Sequence, residues 1–127
     1  AAASACGITS ALATPPHPAP QWHTAALAQR RLAESGGDQP YGAVLVLGNA
    51  VVGEGPSRVV KDNNPDAHAE RVALLDAQRR LGRQSLAGAV LYSTSRPCAL
   101  CEAAALRAGV RRMYFGPQLE SAGPAGP

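Results

Sequence analysis

The chain has 127 residues, of which 46% are hydrophobic and 17% charged, and a formal net charge of +3. That is the size of one domain, able to bury about two thirds of its unfolded surface in a single core. Three cysteines are too few for a disulfide-stapled scaffold, and the mild excess of arginine permits a nucleic-acid partner without requiring one.

In chain order, residues 1–20 read as a leader. Ala1 to Ala13 is small and apolar, Ala11-Leu12-Ala13 has the A-x-A form of a secretory cleavage site, and a Thr-Pro-Pro-His-Pro-Ala-Pro spacer follows. There is no initiator Met and no basic n-region. The segment is therefore expected to be the tail of a signal peptide from a longer precursor, or else a disordered Ala/Pro-rich leader. Ala3-Ser4-Ala5-Cys6 is a weaker lipoprotein-like match. The first case places the protein outside the cytoplasm, exported or periplasmic, and the second leaves it cytoplasmic. No membrane span is expected.

The organised region is expected over residues 21–116, with a Gly/Pro-rich tail from 117 to 127. Trp22 to Glu34 predicts a helix ended by Ser35-Gly36-Gly37-Asp38. Gly42 to Leu47 is an unbroken apolar run, as expected for a strand covered on both faces. Gly48-Asn49 then turns the chain into Ala50 to Gly53 as an antiparallel hairpin. A helix is predicted from about Asp66 to Leu81, with Val72, Leu75 and nearby alanines as its apolar face and Gly82 as its left-handed stop. Ala89 to Thr94 is the next strand, Cys98 to Ala108 a helix closed by Gly109, and Arg112 to Phe115 the last strand. Strands alternating with helices after an initial hairpin predict an α/β fold. Right-handed crossovers would put helices on both faces of a mixed central sheet, a three-layer α/β/α sandwich. The pairs Arg30-Arg31, Arg79-Arg80 and Arg111-Arg112 could meet phosphates. No aromatic-interleaved basic stripe accompanies them, so solvated helix faces and element ends are the simpler reading.

His68-Ala69-Glu70 and Pro97-Cys98-Ala99-Leu100-Cys101 carry the chemistry. A C-x-x-C pair alone serves equally as a structural zinc knuckle, a redox dithiol or a catalytic site. A lone histidine on an Ala-rich helix is usually packed or solvated. Together, with an intervening strand and a proline before the first cysteine, they supply one nitrogen, two sulfurs and a free carboxylate. That is the donor set of an open catalytic zinc site, in which His68, Cys98 and Cys101 leave the fourth tetrahedral position to water. Glu70 is not a ligand. Two residues from His68, it is placed to carry protons to and from that water, as in zinc deaminases with an H-x-E and P-C-x-x-C pair. A purely structural site lacks a fourth ligand, since Cys6 is the only other cysteine and His17 and His23 lie in or beside the proline-rich stretch. Both motifs are predicted in first turns of helices, with Pro97 at the first helical position. Two helix N-termini would then face the metal and favour thiolate over thiol.

These motifs, with Gln39-Pro40-Tyr41-Gly42-Ala43-Val44-Leu45-Val46, Asn64-Pro65-Asp66-Ala67 and Leu91-Tyr92-Ser93-Thr94-Ser95-Arg96 beside them, resemble the cytidine deaminase-like superfamily from the first helix to Phe115. The chain is most similar to its guanine and nucleoside deaminase branch, with the tRNA adenosine deaminases next. The resemblance implies zinc-dependent hydrolytic deamination of a nucleobase or nucleoside, with a guanine-type purine favoured. The alternatives are tRNA adenosine-to-inosine deamination, a cytidine or deoxycytidylate-type deaminase, and a catalytically lapsed zinc-binding domain. It also implies a homodimer, and a contact from the backbone N–H of Ala69 to the bound base; tRNA is the second-ranked partner.

Three departures from the family pattern stand out. Ser57, in Gly55-Pro56-Ser57-Arg58, occupies the place of a base-recognising asparagine. A candidate substrate contact there is weakened, because a hydroxyl cannot present the paired donor and acceptor of an amide. Arg96 stands where the family often has an acidic residue, and reads either as a contact to an anionic substrate group or as a solvated loop arginine. The family usually continues with another helix or two beyond the last predicted strand. The C-terminal elements are therefore expected to be short or missing, which weakens an extended tRNA-binding surface.

Overall fold

The computed structural model describes residues 16–123. The A-x-A site and Cys6 lie outside the described residues. Helix α1 (Pro20–Ser35) opens on a proline in its first turn and buries Trp22, Ala26, Gln29 and Ala33, the alternating three- and four-residue spacing of one helical face. The strands β1 (Gly42–Leu47) and β2 (Ala50–Pro56) form the predicted hairpin, with β2 three residues longer than expected. Then come α2 (Ala69–Leu81), β3 (Val90–Ser93), α3 (Ala99–Arg107), β4 (Arg112–Phe115) and β5 (Glu120–Ala122). The five strands lie in the order β2-β1-β3-β4-β5. Only β3 and β4, joined through α3, are parallel; the other pairs are antiparallel.

Period-two alternation splits the strands between two cores. Val44, Val46, Val90 and Tyr92 face Trp22 and Ala26 of α1. Ala43, Leu45, Leu91 and Met113 face α2 and α3. Helices thus cover both faces of the sheet, the predicted three-layer α/β/α arrangement. Leu45 and Leu91 are fully buried, each contributing about 1.5–3 kcal/mol.

Four features differ from the sequence expectation. Residues 16–19, assigned to the leader, pack on the sheet. Ala19 N–H donates to the Tyr92 hydroxyl at 3.0 Å, His17 Nδ1 lies 2.6 Å from the same oxygen, and Arg112 donates to the His17 carbonyl at 3.2 Å. The Gly/Pro-rich tail contains β5, where Ala122 pairs with Met113. The apolar face of α2 is Ala69, Ala73, Leu74 and Ala77, whereas Leu75 is 60% exposed. The cause is close packing: a Cβ on Gly53 or Gly55 of β2 would collide with the Ala73 or Ala69 carbonyl of α2. Only alanines fit at that approach, and it fixes the height of the α2 N-terminus above the sheet. Finally, α2 begins at Ala69, three residues later than expected. Gly82 does end it in the left-handed conformation, at φ 67°.

Candidate active site

Both motifs sit at helix starts, with Glu70 and Cys101 inside the first turns as expected but His68 and Cys98 one step earlier, on the caps. Asp66 N–H donates to Asn64 Oδ1 at 2.9 Å, Ala67 N–H to the Asn64 carbonyl at 3.0 Å, and Arg58 N–H to the Ala67 carbonyl at 3.0 Å. Local bonding of this kind competes with helix formation, so His68 becomes the N-cap of α2 with extended backbone (φ −65°, ψ 153°). Cys98 is the N-cap of α3 (φ −72°, ψ 166°), and its Sγ accepts from Cys101 N–H at 3.4 Å. The sulfur fills the role that a Ser or Asp oxygen has at other caps. Pro97 consequently precedes the cap and is not the first helical residue.

His68 Nδ1 lies 3.4 Å from Cys101 Sγ and 3.7 Å from Cys98 Sγ, and the three donor atoms are all within 4.8 Å of one another. Zn–S bonds of about 2.3 Å and Zn–N bonds of about 2.0–2.1 Å at a tetrahedral angle give N···S edges of about 3.6 Å. The donors and their spacing fit a zinc ion. Burial, and then the charge of Glu70, pushes the Cys101 thiol up; a cation among the three donors is what would return it to thiolate. Cys101 is buried, His68 half-buried and Cys98 exposed, so the cluster opens toward solvent on one side.

Glu70 is 6% exposed, and the Ser93 hydroxyl donates to its Oε2 at 2.9 Å. Burial raises its carboxyl above the usual range, while its own backbone N–H, the Ser93 hydroxyl and His68 pull the other way without cancelling the effect. An upward shift suits a group that gives and takes protons near neutrality. A cavity of about 520 Å³ opens over the cluster, lined by Gln39, Tyr41, His68, Ala69, Glu70, Ser95, Arg96 and Cys98. Its size is ordinary for a small-ligand site.

Of the residues singled out from sequence, His68, Ala69, Glu70, Arg96 and Cys98 meet in this cavity, and Cys101 completes the donor cluster. Ser57 does not line it. Its side chain is buried, its hydroxyl donates to Asp38 Oδ1 at 3.0 Å, and its N–H donates to the Tyr41 carbonyl at 3.1 Å. Asp38 gathers that hydroxyl together with the N–H groups of Gln39, Val60 and Lys61. Partial burial works to raise the Asp38 carboxyl, but these donors outweigh it and hold it at about 2. Ser57 thus serves the carboxylate that ties the 57–61 loop to the start of β1. Of the arginine pairs, Arg79 pairs with Asp76 and Arg80 with Glu54 and Asp76, while Arg30 pairs with Glu34 and Arg112 donates to the His17 carbonyl; Arg31 and Arg111 have no such partner among the described residues.

Sequence reasoning missed Ser93, Gln39, Tyr41 and Ser95. A serine at the end of an apolar strand carries no signal of its own, because its partner Glu70 arrives from another element. Gln39 and Tyr41 belong to a stretch that carries the family resemblance, yet nothing local marks them as cavity walls.

Residues 18–117 match the family model for the cytidine and deoxycytidylate deaminase zinc-binding region. The chain is 36% identical over 95 residues to a tRNA-specific adenosine deaminase of Buchnera aphidicola subsp. Schizaphis graminum, covering 75% of this chain and 63% of that protein. It is 34% identical over 87 residues to the guanine deaminase of Bacillus subtilis, covering 68% of this chain and 56% of that one. The chain spans less than two thirds of the length of the curated relatives it matches. Among solved structures, it is similar to one from a study of A-to-I editing by tRNA:A34 deaminases, with a TM-score of 0.71 and 38% identity over 75% of this chain and 73% of that one. The Bacillus subtilis guanine deaminase structure gives a TM-score of 0.72 at 30% identity, covering 76% of this chain and 62% of that one.

Proposed function

The chain belongs to the cytidine and deoxycytidylate deaminase zinc-binding family, and from that membership we propose that it hydrolytically deaminates an amino-substituted purine. Glu70 carries this reading: a buried carboxylate, bonded to Ser93, that faces the same cavity as His68 and Cys98. A zinc site that merely holds the fold has no use for such a group, which is costly to bury.

His68, Cys98 and Cys101 would hold the zinc. When bound, it supplies a Lewis acid that lowers the pKa of water to near neutrality. Glu70 takes one proton from the attacking water and delivers it to the ring nitrogen as the water oxygen bonds to the adjacent ring carbon. It then takes the second proton from that oxygen and gives it to the exocyclic amine, which departs as ammonia when the C–N bond breaks and the carbonyl forms. The Ser93 hydroxyl keeps the carboxylate in one orientation through these transfers. Ala69, the first helical residue of α2, presents its N–H at a helix N-terminus, where an acceptor on the base is favoured. Gln39 brings to the cavity wall the amide donor and acceptor that Ser57 cannot offer.

Two substrates fit the family. Relatives named for tRNA adenosine deamination support adenosine, and the Bacillus guanine deaminase supports guanine. Adenosine comes first, the reverse of the order that the sequence suggests. The homodimer implied by the resemblance belongs to the same proposal; exposed Leu75 and Leu100 are apolar surface that a second copy would cover.

The test is ammonia release by zinc-loaded protein from guanine, adenine, cytosine, their nucleosides and an anticodon stem-loop RNA. Release from an adenine- or guanine-containing member is expected. Glu70→Gln should keep its zinc and lose at least roughly 10²–10⁴-fold in turnover. Silence across the panel with zinc bound would overturn the proposal in favour of a lapsed domain, and unimpaired Glu70→Gln would remove Glu70 from its role.

A further inference from the structure

Arg96 lines the cavity together with Glu70, but the deamination chemistry gives it nothing to do. It lies in the loop between β3 and α3, two residues before Cys98. The side chain is exposed whereas Glu70 is buried, so the cavity has a carboxylate at its floor and a cation at its rim. Arg30, Arg58, Arg79 and Arg80 are paired with carboxylates, and Arg71, Arg83 and Arg112 donate to main-chain carbonyls. Arg96 has neither kind of partner among the described residues; the same holds for Arg31, Arg107 and Arg111, but of these four only Arg96 lines the cavity. Its one recorded contact is a stack, with the guanidinium carbon 5.3 Å from the centroid of the Phe115 ring.

A guanidinium held over an aromatic face keeps its N–H edge free. That is a pre-organised fork, matched in geometry to phosphate and carboxylate. A neutral base at the zinc end would leave the fork facing water. A substrate carrying an anion some ångströms from its reacting ring would engage it, and a solvent-facing rim asks little desolvation of that anion. Two residues span at most about 7 Å, so the loop that carries Arg96 starts close to Cys98 and the guanidinium shares its cavity.

We infer that Arg96 is a specificity determinant for phosphate, and that the substrate is a phosphorylated nucleotide unit in preference to a free base or nucleoside. The ring chemistry of this inference rests on the deaminase proposal; the phosphate requirement does not. The phosphate belongs either to a mononucleotide or to an RNA backbone, and the fork reads both alike. Phe115 is a positioning residue, acting through the stack.

The experiment measures equilibrium binding by the zinc-loaded chain carrying Glu70→Gln, so that turnover does not interfere. The probes are adenosine, guanosine, their 5′-monophosphates, and an anticodon stem-loop RNA. A phosphorylated probe should bind roughly ten- to a hundredfold more tightly than its nucleoside, the scale of a hydrogen bond to a charged group. Adding Arg96→Gln should remove most of that ratio, Arg96→Lys should restore part of it, and Phe115→Leu should lower it less than Arg96→Gln. Zinc content checks that each variant is folded. A gain with the monophosphates assigns the phosphate to a mononucleotide; a gain confined to the stem-loop assigns it to RNA. Equal affinity for phosphorylated and unphosphorylated probes, or a ratio indifferent to Arg96→Gln, overturns the inference. Ammonia release by the Glu70 protein is followed in parallel. Release without a phosphate-dependent ratio sinks the role of Arg96 alone, whereas an Arg96-dependent ratio without release sinks the deaminase proposal alone.

Discussion

Two depressions of about 520 Å³ each touch α2, one at its N-terminal turn and the other along Val72, Asp76, Arg79 and Arg80. In the second, Arg80 lies 2.6 Å from Glu54 and 2.8 Å from Asp76, Arg79 lies 3.4 Å from Asp76, and Arg58 lies 2.9 Å from Asp62. Gln29 donates to the other oxygen of Glu54 at 3.4 Å. Every charge there is met by the chain itself. In the first, among the described residues, three metal donors converge, a buried carboxylate has a serine hydroxyl but no ion pair, and an arginine at the rim has no anion. Size does not separate the two. What separates them is electrostatic demand left unmet by the fold, which is the mark of a place prepared for something else.

The largest effect should come from taking the metal away. A chelator, or Cys101→Ala, is expected to reduce zinc from one ion per chain to none, abolish turnover and lower the thermal midpoint. Metal analysis and calorimetry check this, and one zinc per chain persisting in Cys101→Ala would break the ligand assignment. Ser93→Ala comes next. It removes a hydrogen bond to a charged group, so kcat should fall roughly 10–100-fold with zinc retained. A change in KM alone would mean that Ser93 does not orient Glu70. Smallest is Glu54→Gln in the second depression. The Arg80–Glu54 pair is almost half exposed on both sides, and such pairs contribute about 0–1 kcal/mol. Denaturant unfolding should show a loss of that size with kcat unchanged; a marked loss of turnover would erase the contrast between the two depressions.

Local pattern made much of this legible. β1 (Gly42–Leu47) and β4 (Arg112–Phe115) have the predicted bounds, because an apolar run between turn residues has few other ways to bury itself. The donor set was visible because its members are near neighbours at two helix starts, where covalent spacing dictates geometry. β5 was not visible: Glu120 and Ser121 are exposed and only Ala122 is buried, so three residues hold as a strand through pairing with β4. The start of α2 was misplaced because an Asn64 side chain, bonding Asp66, outcompetes the helix locally. Leu75 looked like core from its composition, but the inward face of α2 must be small enough to lie on Gly53 and Gly55.

By itself the sequence determined the fold class and the zinc donor set, since periodicity and short-range spacing depend on neighbours along the chain, and its motifs carried the resemblance to the family. Only the tertiary structure decided that Ser57 answers to Asp38, that Ser93 orients Glu70, and that Arg96 stands over Phe115 at the cavity rim. Each of those contacts joins elements 19 or more residues apart. Their geometry is set by sheet register and by how closely helices approach the sheet, and no local pattern of residues encodes either.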